Sequence, residues 1–134
     1  MVKRTQVLTW VCLGILLLVW GCLGSKLEGP AIRFDTELFI FDEISAGTAL
    51  PFSFHFTNPG TATLFILDLH TSCPCITVKA YDRITEAGGR GKITGMIHPV
   101  NLQGDLNQTI TVETHLPEIK PVLTLEGRIY SWKD

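Results

Sequence analysis

The chain has 134 residues, 46% of them hydrophobic, and a formal net charge of −2. This length suits one domain of ordinary size together with a short appendage. The sequence shows no basic cluster or stripe, which argues against nucleic acid as a partner and gives no reason to expect contact with an anionic membrane surface.

The N-terminal segment, residues 1–25, has the pattern of a targeting signal. Lys3 and Arg4 precede a charge-free run from Thr5 to Ser25 with the apolar centre VCLGILLLVW. A basic start, an apolar centre and small residues after it are typical of a secretory signal. Once Lys3 and Arg4 are set aside, 9 of the 11 basic residues remain against all 13 acidic ones, so the rest of the chain is near −4.

Three interpretations of this segment stay open. Val19-Trp20-Gly21-Cys22 resembles a bacterial lipobox, which makes Cys22 a candidate lipidation site. A run of about 20 apolar residues is also long enough to remain as a membrane-spanning anchor, with Lys3 and Arg4 holding the N-terminus inside. Cleavage near Gly24 would instead release a soluble domain. All three interpretations place the domain outside the cytoplasm.

The stretch PFSFHFTNPG carries the clearest strand signal. Phe52, Phe54 and Phe56 alternate with polar residues, so three aromatic rings fall on one face of a strand. Asn58-Pro59-Gly60 supplies the turn chemistry that ends it. A face of three rings needs a cover, and a second sheet is the usual one.

Turn signals separate further alternating segments along the chain. About seven short strands and no convincing amphipathic helix predict an all-β fold, a single immunoglobulin-like β-sandwich. We expect this domain at 34–134, after a signal peptide or membrane anchor at 1–25 and a linker at 26–33. The predicted strands lie within 31–44, 51–57, 61–70, 76–78, 92–99, 108–114 and 122–130, with loops at 87–91 and 101–107.

Five motifs follow one another in a fixed order. They are a Phe-Asp…Gly element, an aromatic strand ending in Asn-x-Gly, a Leu-x-Ile strand leading to Ser-Cys-x-Cys, a Gly-rich loop before a Gly-x-Ile strand, and a final Leu-x-Gly. They occur at 41–47, 54–60, 64–77, 88–104 and 125–127. The set resembles the bacterial domain of unknown function 1573, an immunoglobulin-like family related to domains of ciliary and spindle-associated proteins. The resemblance implies this fold and export from the cytoplasm. It does not indicate an activity, because the family has no established one. The chain departs from the family pattern at Pro74, which replaces a glycine, and at Ile76, an insertion.

The segment Cys73-Pro74-Cys75 is the stretch that hints at chemistry. Together with His70 it forms the spacing His-x-x-Cys-x-Cys. Thiolates and imidazole suit copper(I) or zinc, so His70, Cys73 and Cys75 are candidate metal ligands. If the segment is extended, residues two apart share a face and both sulfurs could reach one ion. A closed zinc site needs four ligands, so folding would have to bring in His98 or His115.

Two other interpretations of the cysteines remain. In an extended segment their Cα atoms would lie roughly 6.6 Å apart, near the upper end of disulfide geometry, so a Cys73–Cys75 bond is expected to be strained and easily reduced. Alternatively, both are small apolar side chains packed at a sheet corner, with Pro74 fixing the turn.

The sequence as a whole predicts a non-catalytic binding or scaffolding module, anchored by its N-terminus at the periplasmic side of a bacterial cell envelope. It holds no nucleophile elbow and no phosphate-binding glycine loop, and we assign Asp42-Glu43 to a turn and His55 to a solvent-facing strand position. We predict no catalysis, no cofactor and no nucleic acid, and a partner that is an envelope protein or another ligand. Sheet edges could bind it by strand addition. The alternative is a metal-handling or thiol-redox protein acting through Cys73-Pro74-Cys75.

Overall fold

The computed structural model describes residues 28–131, and within them the regular structure is entirely β. The predictions on residues 1–25, including lipidation of Cys22 and the membrane anchor, lie outside this range. Between residues 28 and 131 no helix has the length and apolarity to cross a membrane. The strands of this described part are β1 Arg33–Phe34, β2 Leu38–Ser45, β3 Leu50–Thr57, β4 Leu64–Thr71, β5 Ile76–Tyr81, β6 Ile84–Thr85, β7 Arg90–Ile97, β8 Gly104–Thr114 and β9 Val122–Tyr130.

The strands form two sheets that pack face to face. The four-stranded sheet has the order β1-β3-β7-β5 and the five-stranded sheet the order β2-β9-β8-β4-β6. Strands β2 and β9 run parallel, and the other paired strands run antiparallel. The all-β sandwich predicted from the sequence is therefore confirmed for residues 28–131.

The aromatic face of β3 forms the centre of the core. Phe52, Phe54 and Phe56 are at most 3% exposed, whereas Ser53 and His55 between them face solvent. Phe39, on β2 of the other sheet, contacts the rings of Phe52 and Phe54 with centroids 6.3 and 6.4 Å apart. The predicted cover of the three rings is thus the five-stranded sheet, and such tilted ring contacts add to the burial energy.

Three glycines in strands make room for three rings of this core. Gly91 and Gly95 of β7 lie directly opposite Phe56 and Phe52 of β3. A Cβ atom built on Gly91 would lie 2.3 Å from Cζ of Phe56, and one on Gly127 would lie 2.3 Å from the ring of Phe41. Glycine at these positions therefore reflects the space that a neighbouring ring occupies rather than a turn.

Asn58 ties the end of β3 to three other parts of the chain. The residue is fully buried. Its Oδ1 accepts hydrogen bonds from the backbone N–H groups of Ala31 and Gly60, both at 3.1 Å. Its Nδ2 donates to the carbonyls of Ala62 at 2.7 Å and Thr85 at 3.0 Å. One side chain thus bonds to two backbone donors and two backbone acceptors, of which those of Ala31, Gly60 and Ala62 belong to residues outside the strands.

Several strand boundaries differ from the sequence prediction. Residues 28–131 form nine strands rather than seven because β1 and β6, two residues each, pair with the ends of β3 and β4. Strand β5 continues to Tyr81, and β7 and β8 begin at Arg90 and Gly104, inside predicted loops. Their glycines and polar residues suggested loops, but pairing decides: Arg90 lies opposite Thr57 and Gly104 opposite Ile129.

Candidate functional site

The Cys73-Pro74-Cys75 corner connects β4 of one sheet to β5 of the other. Cys73 and Cys75 are joined by a disulfide with Cα atoms 5.1 Å apart. This corrects the expectation of an extended segment with a wider separation, and it shows that the two side chains are bonded to each other. The expected packing is confirmed, because Cys75 belongs to the hydrophobic core and Cys73 packs against it. The segment turns instead of continuing as a strand, and the turn draws the two Cα atoms together.

Backbone hydrogen bonds hold the corner from both sheets. Ser72 donates to the carbonyl of Thr109 at 2.9 Å, and His98 donates to the carbonyl of Cys75 at 2.7 Å. Within the turn, the N–H of Ile76 donates to the carbonyl of Cys73 at 3.1 Å. The disulfide therefore sits on a backbone that β8 and the end of β7 already fix in place.

A shallow groove runs beside the disulfide. Its walls come from the corner and from the loop between β7 and β8, and its volume is about 380 Å³. Asn101 in that loop has a φ of +59°, a left-handed conformation that asparagine tolerates better than most residues. Val100 beside it is 63% exposed. The lining residues are Cys73, Pro74, Cys75, His98, Val100, Asn101 and Leu102.

The predicted metal ligands are not gathered around one point in this structure. The imidazole of His70 is hydrogen-bonded to Glu113, with Nε2 2.9 Å from Oε2. The sulfurs of Cys73 and Cys75 are joined to each other in the disulfide. Over residues 28–131 no group of three or more His, Cys, Asp or Glu side chains is placed to hold a metal ion. Cysteine binds metal as a thiolate, so the metal site stays a prediction that concerns the reduced protein.

His70 is expected to titrate above its ordinary value. The hydrogen bond to Glu113 raises the pKa of His70, Asp68 adds to the rise, and desolvation opposes it. We expect an NMR titration to show a His70 pKa above 6.5, which falls more in Glu113→Gln than in Asp68→Asn. Folding favours the protonated ring of His70. The contribution of this ring to the stability of the domain is therefore complete below pH 6.5 and is lost as the pH rises through the pKa of the folded state. A His70 pKa unchanged in Glu113→Gln would contradict this assignment.

Other residues considered from the sequence lie apart from the corner. His55 is exposed on the four-stranded sheet, and its Nε2 lies 3.2 Å from Oγ of Ser53. Asp42 and Glu43 belong to β2, at the point where its pairing with β9 shifts register, rather than to a turn. His115 packs edge-on against Phe65 with ring centroids 5.3 Å apart. The structure therefore leaves the corner and its groove as the site that the sequence singled out.

Comparison with known proteins identifies the family of the chain. Residues 32–129 match the family described as "Protein of unknown function (DUF1573)", which covers more than half of the chain. The chain belongs to the DUF1573 family. This confirms the resemblance inferred from the ordered motifs. Among functionally curated proteins, no match to the DUF1573 chain is found.

Solved structures share the fold of this DUF1573 domain. A protein of unknown function from Porphyromonas gingivalis W83 gives a TM-score of 0.64 at 13% identity over 80% of this chain and 50% of its own. The chain thus spans half the length of that protein. The ASH / PapD-like domain 7 of human CEP192 gives 0.55 at 18% identity, over 76% of this chain and 87% of its own. The secreted serine protease VesC from Vibrio cholerae gives 0.57 at 9% identity, over 75% and 23%. At these identities the similarity shows the fold alone, an immunoglobulin-like and PapD-like sandwich.

The structure also shows a surface of the DUF1573 domain that sequence patterns did not predict. Within residues 28–131, every strand-borne large hydrophobic residue that is exposed lies on the five-stranded sheet. These residues are Leu38 at 40%, Ile40 at 66%, Phe65 at 41%, Leu67 at 53%, Ile84 at 63% and Val122 at 44% exposure. We call this set the apolar face. Phe65 and Ile84 are cross-strand neighbours. The available sequence signal was the continuous apolar run at the start of β2 and of β4, which makes both strands apolar on both sides.

The two sheets of the domain also differ in charge. The strands of the four-stranded sheet carry four basic side chains, Arg33, Lys79, Arg90 and Lys92, and no acidic one. Those of the five-stranded sheet carry Asp42, Glu43, Asp68, Asp105, Glu113 and Glu126, with Arg128 as the one basic residue. Counted over the strands alone, the sheets carry +4 and −5, so folding gathers basic residues that the linear sequence leaves scattered.

Proposed function

We propose that this DUF1573 protein is a non-catalytic binding or scaffolding module, held at the bacterial envelope by its N-terminus, that docks a protein partner on the apolar face. The observation that carries the proposal is the confinement of six exposed hydrophobic side chains to one sheet. Single exposed hydrophobic residues are ordinary on protein surfaces, but Phe65, Leu67 and Ile84 lie close together on the neighbouring strands β4 and β6, and such a group is typical of an interaction surface.

The open edges of the four-stranded sheet are less suited to binding than the apolar face. Strand β5 carries a bulge between Val78 and Ala80, with Lys79 inside it. Pro51 lies in the part of β3 that β1 leaves uncovered and lacks a backbone donor. Bulges, lysines and prolines are the features that keep edge strands from pairing with other chains. We therefore favour side-chain docking on a sheet face over the strand addition considered from the sequence.

Charge indicates a partner other than a second copy of this chain. If two copies met through their apolar faces, the five-stranded sheet of one copy would face that of the other. The strands of each such sheet carry a summed charge of −5, and like charges across an interface are unfavourable. The four-stranded sheet has the complementary charge but, within residues 28–131, no exposed large hydrophobic side chain to match the face. The fitting partner is a different protein with an apolar patch and a basic rim.

Photocrosslinking in the native host tests the docking surface. A photoreactive amino acid replaces Ile40 or Ile84 on the apolar face, or Thr77 or Lys92 on the other sheet as controls. We expect Ile40 and Ile84 to crosslink one and the same protein and the control positions not to. With that protein purified, Ile84→Asp should raise Kd about tenfold or more, because it would bury a charge against the partner's apolar patch, while Thr77→Asp should leave it unchanged.

Three results would count against the proposal. Crosslinks from Thr77 and Lys92 but none from the apolar face would place the partner on the four-stranded sheet. A crosslinked product at twice the mass of the chain would indicate self-association. Equal Kd values for Ile84→Asp and Thr77→Asp, with melting temperatures unchanged, would show that the apolar face takes no part in binding.

A further inference from the structure

The two cysteines of the corner differ in their access to solvent. Cys75 is 8% exposed, Cys73 is half-buried, and Pro74 between them is exposed. Thiol–disulfide exchange requires an incoming thiolate to reach one sulfur of the bond. The difference in exposure therefore makes Cys73 the residue that an external thiol reaches first.

The disulfide contributes little to holding the fold together. It joins residues only two apart in sequence, and the gain from constraining the unfolded chain is smallest for the shortest loops. By linkage, a bond that does little to stabilise the fold is itself stabilised little by folding. The corner also keeps its backbone hydrogen bonds to Thr109 and His98 without help from the sulfurs. The bond is thus free to open and close without unfolding the domain.

The corner also supports a thiolate on Cys73. The backbone N–H of Cys75 points at Sγ of Cys73, with N and S 3.1 Å apart. A hydrogen bond to the charged form of a group stabilises that form, and the thiolate is the reactive form of cysteine. The more accessible sulfur is therefore also the one equipped to act as nucleophile or leaving group.

The groove beside the disulfide can hold part of a substrate. Val100, 63% exposed, and Leu102 give it an apolar wall, and His98 and Asn101 give it polar groups. An apolar side chain next to a cysteine in an extended polypeptide fits this combination better than the small polar tripeptide glutathione. The groove therefore favours a polypeptide thiol over a small-molecule thiol.

We propose that Cys73–Cys75 is a thiol–disulfide exchange site for exported polypeptides, in which Cys73 carries the mixed disulfide. A substrate thiolate attacks Sγ of Cys73, the Cys73–Cys75 bond breaks, and its electron pair leaves on Sγ of Cys75, which takes up a proton. A second substrate thiolate then attacks the substrate sulfur of the mixed disulfide and releases Cys73. Two substrate thiols become one disulfide, and two electrons and two protons pass to the cysteine pair. The reduced pair runs the same steps backwards.

Trapping the mixed disulfide tests the proposal on the full-length chain. Cys75→Ser and Cys73→Ser, both reduced, are mixed with glutathione disulfide or with an oxidised peptide that has a leucine next to its cysteine. Trypsin releases residues 34–79, which contain Cys73 and Cys75 but neither Cys12 nor Cys22. Mass spectrometry of this fragment then reports adducts at the corner alone.

We expect Cys75→Ser to form an adduct at least tenfold faster than Cys73→Ser, and the leucine peptide to react faster than glutathione disulfide. The wild-type chain should form the adduct only transiently and end with the Cys73–Cys75 bond and free thiol. In buffers of reduced and oxidised glutathione, the wild-type bond should be partly reduced while the circular dichroism spectrum stays that of the folded domain.

Other results would overturn the proposal. Equal adduct rates for the two variants would remove the assigned role of Cys73. A wild-type bond that stays fully oxidised in every glutathione buffer, or that opens only when the domain unfolds, would show a structural disulfide. A faster reaction with glutathione disulfide than with the peptide would reject the polypeptide substrate. None of these results bears on docking at the apolar face, which lies on a sheet surface rather than in the groove.

Discussion

Asn58→Ala is expected to lower the free energy of unfolding by about 3–5 kcal/mol, a large part of the stability of a small domain. The side chain is fully buried and makes four hydrogen bonds to the backbone of Ala31, Gly60, Ala62 and Thr85. Truncation removes the side-chain partner of two backbone donors and two backbone acceptors, and each buried group that is left unpaired costs about 1–3 kcal/mol. Partial entry of water limits the total.

Two further variants separate hydrogen bonding from packing at this position. Asn58→Asp keeps the shape, but it sets a carboxylate oxygen against the two carbonyls of Ala62 and Thr85 that Nδ2 now contacts. We expect it to destabilise at least as much as Asn58→Ala. The control is Asn107→Ala, an exposed residue with one bond to Glu126, which should change stability by no more than about 0.5 kcal/mol. Urea denaturation followed by circular dichroism measures all three, and a loss for Asn58→Ala similar to that for Asn107→Ala would contradict the argument.

The sequence contained enough information to predict the sandwich, because strand burial is a local property. The alternation of Phe52, Phe54 and Phe56 with polar residues fixes which side of β3 is buried, whatever lies opposite. The same alternation gave the approximate positions of the longer strands. Strand ends were less predictable, since Gly91 and Gly104 resemble loop residues until their partners on β3 and β9 are known.

The candidate site was predictable in its residues but not in its geometry. The pair Cys73 and Cys75 stood out by spacing, and the assumption of an extended segment led to a Cα separation that the turn makes shorter, at 5.1 Å. His98 was considered as a ligand, and its place beside the disulfide follows from the pairing of β7 with β5, which places Ile97 opposite Ile76. The role of Asn58 was equally hidden, because Ala31 and Thr85 each lie 27 residues away from it.

Opposite charges on the two sheets could not be seen along the chain. Arg33, Lys79 and Lys92 lie far apart in sequence, and an acidic or neutral segment separates each from the next. They meet because β1, β3, β7 and β5 are neighbours in one sheet. The linear chain shows no basic cluster, yet the folded domain has one sheet whose strands are basic and one whose strands are acidic.

Gly91→Ala is expected to destabilise the domain by about 1–3 kcal/mol, the usual range for an overpacked core. The new Cβ would meet Cζ of Phe56 at 2.3 Å and the ring's Cε atoms within 2.9 Å, with no backbone atom among the closest contacts. The clash is therefore with one removable group. Phe56→Leu takes away those outer ring atoms and, by itself, leaves a cavity that we expect to cost about 1–2 kcal/mol.

The two changes together should cost less than the sum of their separate effects, by about 1 kcal/mol or more, because the methyl group added by Gly91→Ala would occupy space that the ring vacates. Urea denaturation of the single and double variants gives this coupling energy.

The control pair is Gly91→Ala with Phe52→Leu. Phe52 lies opposite Gly95, about 13 Å along the strand from Gly91, so the effects of these two changes should add within about 0.5 kcal/mol. Equal coupling in both pairs, or none in either, would mean that Gly91 is present for backbone reasons and not for the ring. A coupling confined to Phe56 would show that the glycines of β7 and the phenylalanines of β3 specify the register of these two strands together, since a shift by one residue sets a ring against Lys92 or Thr94.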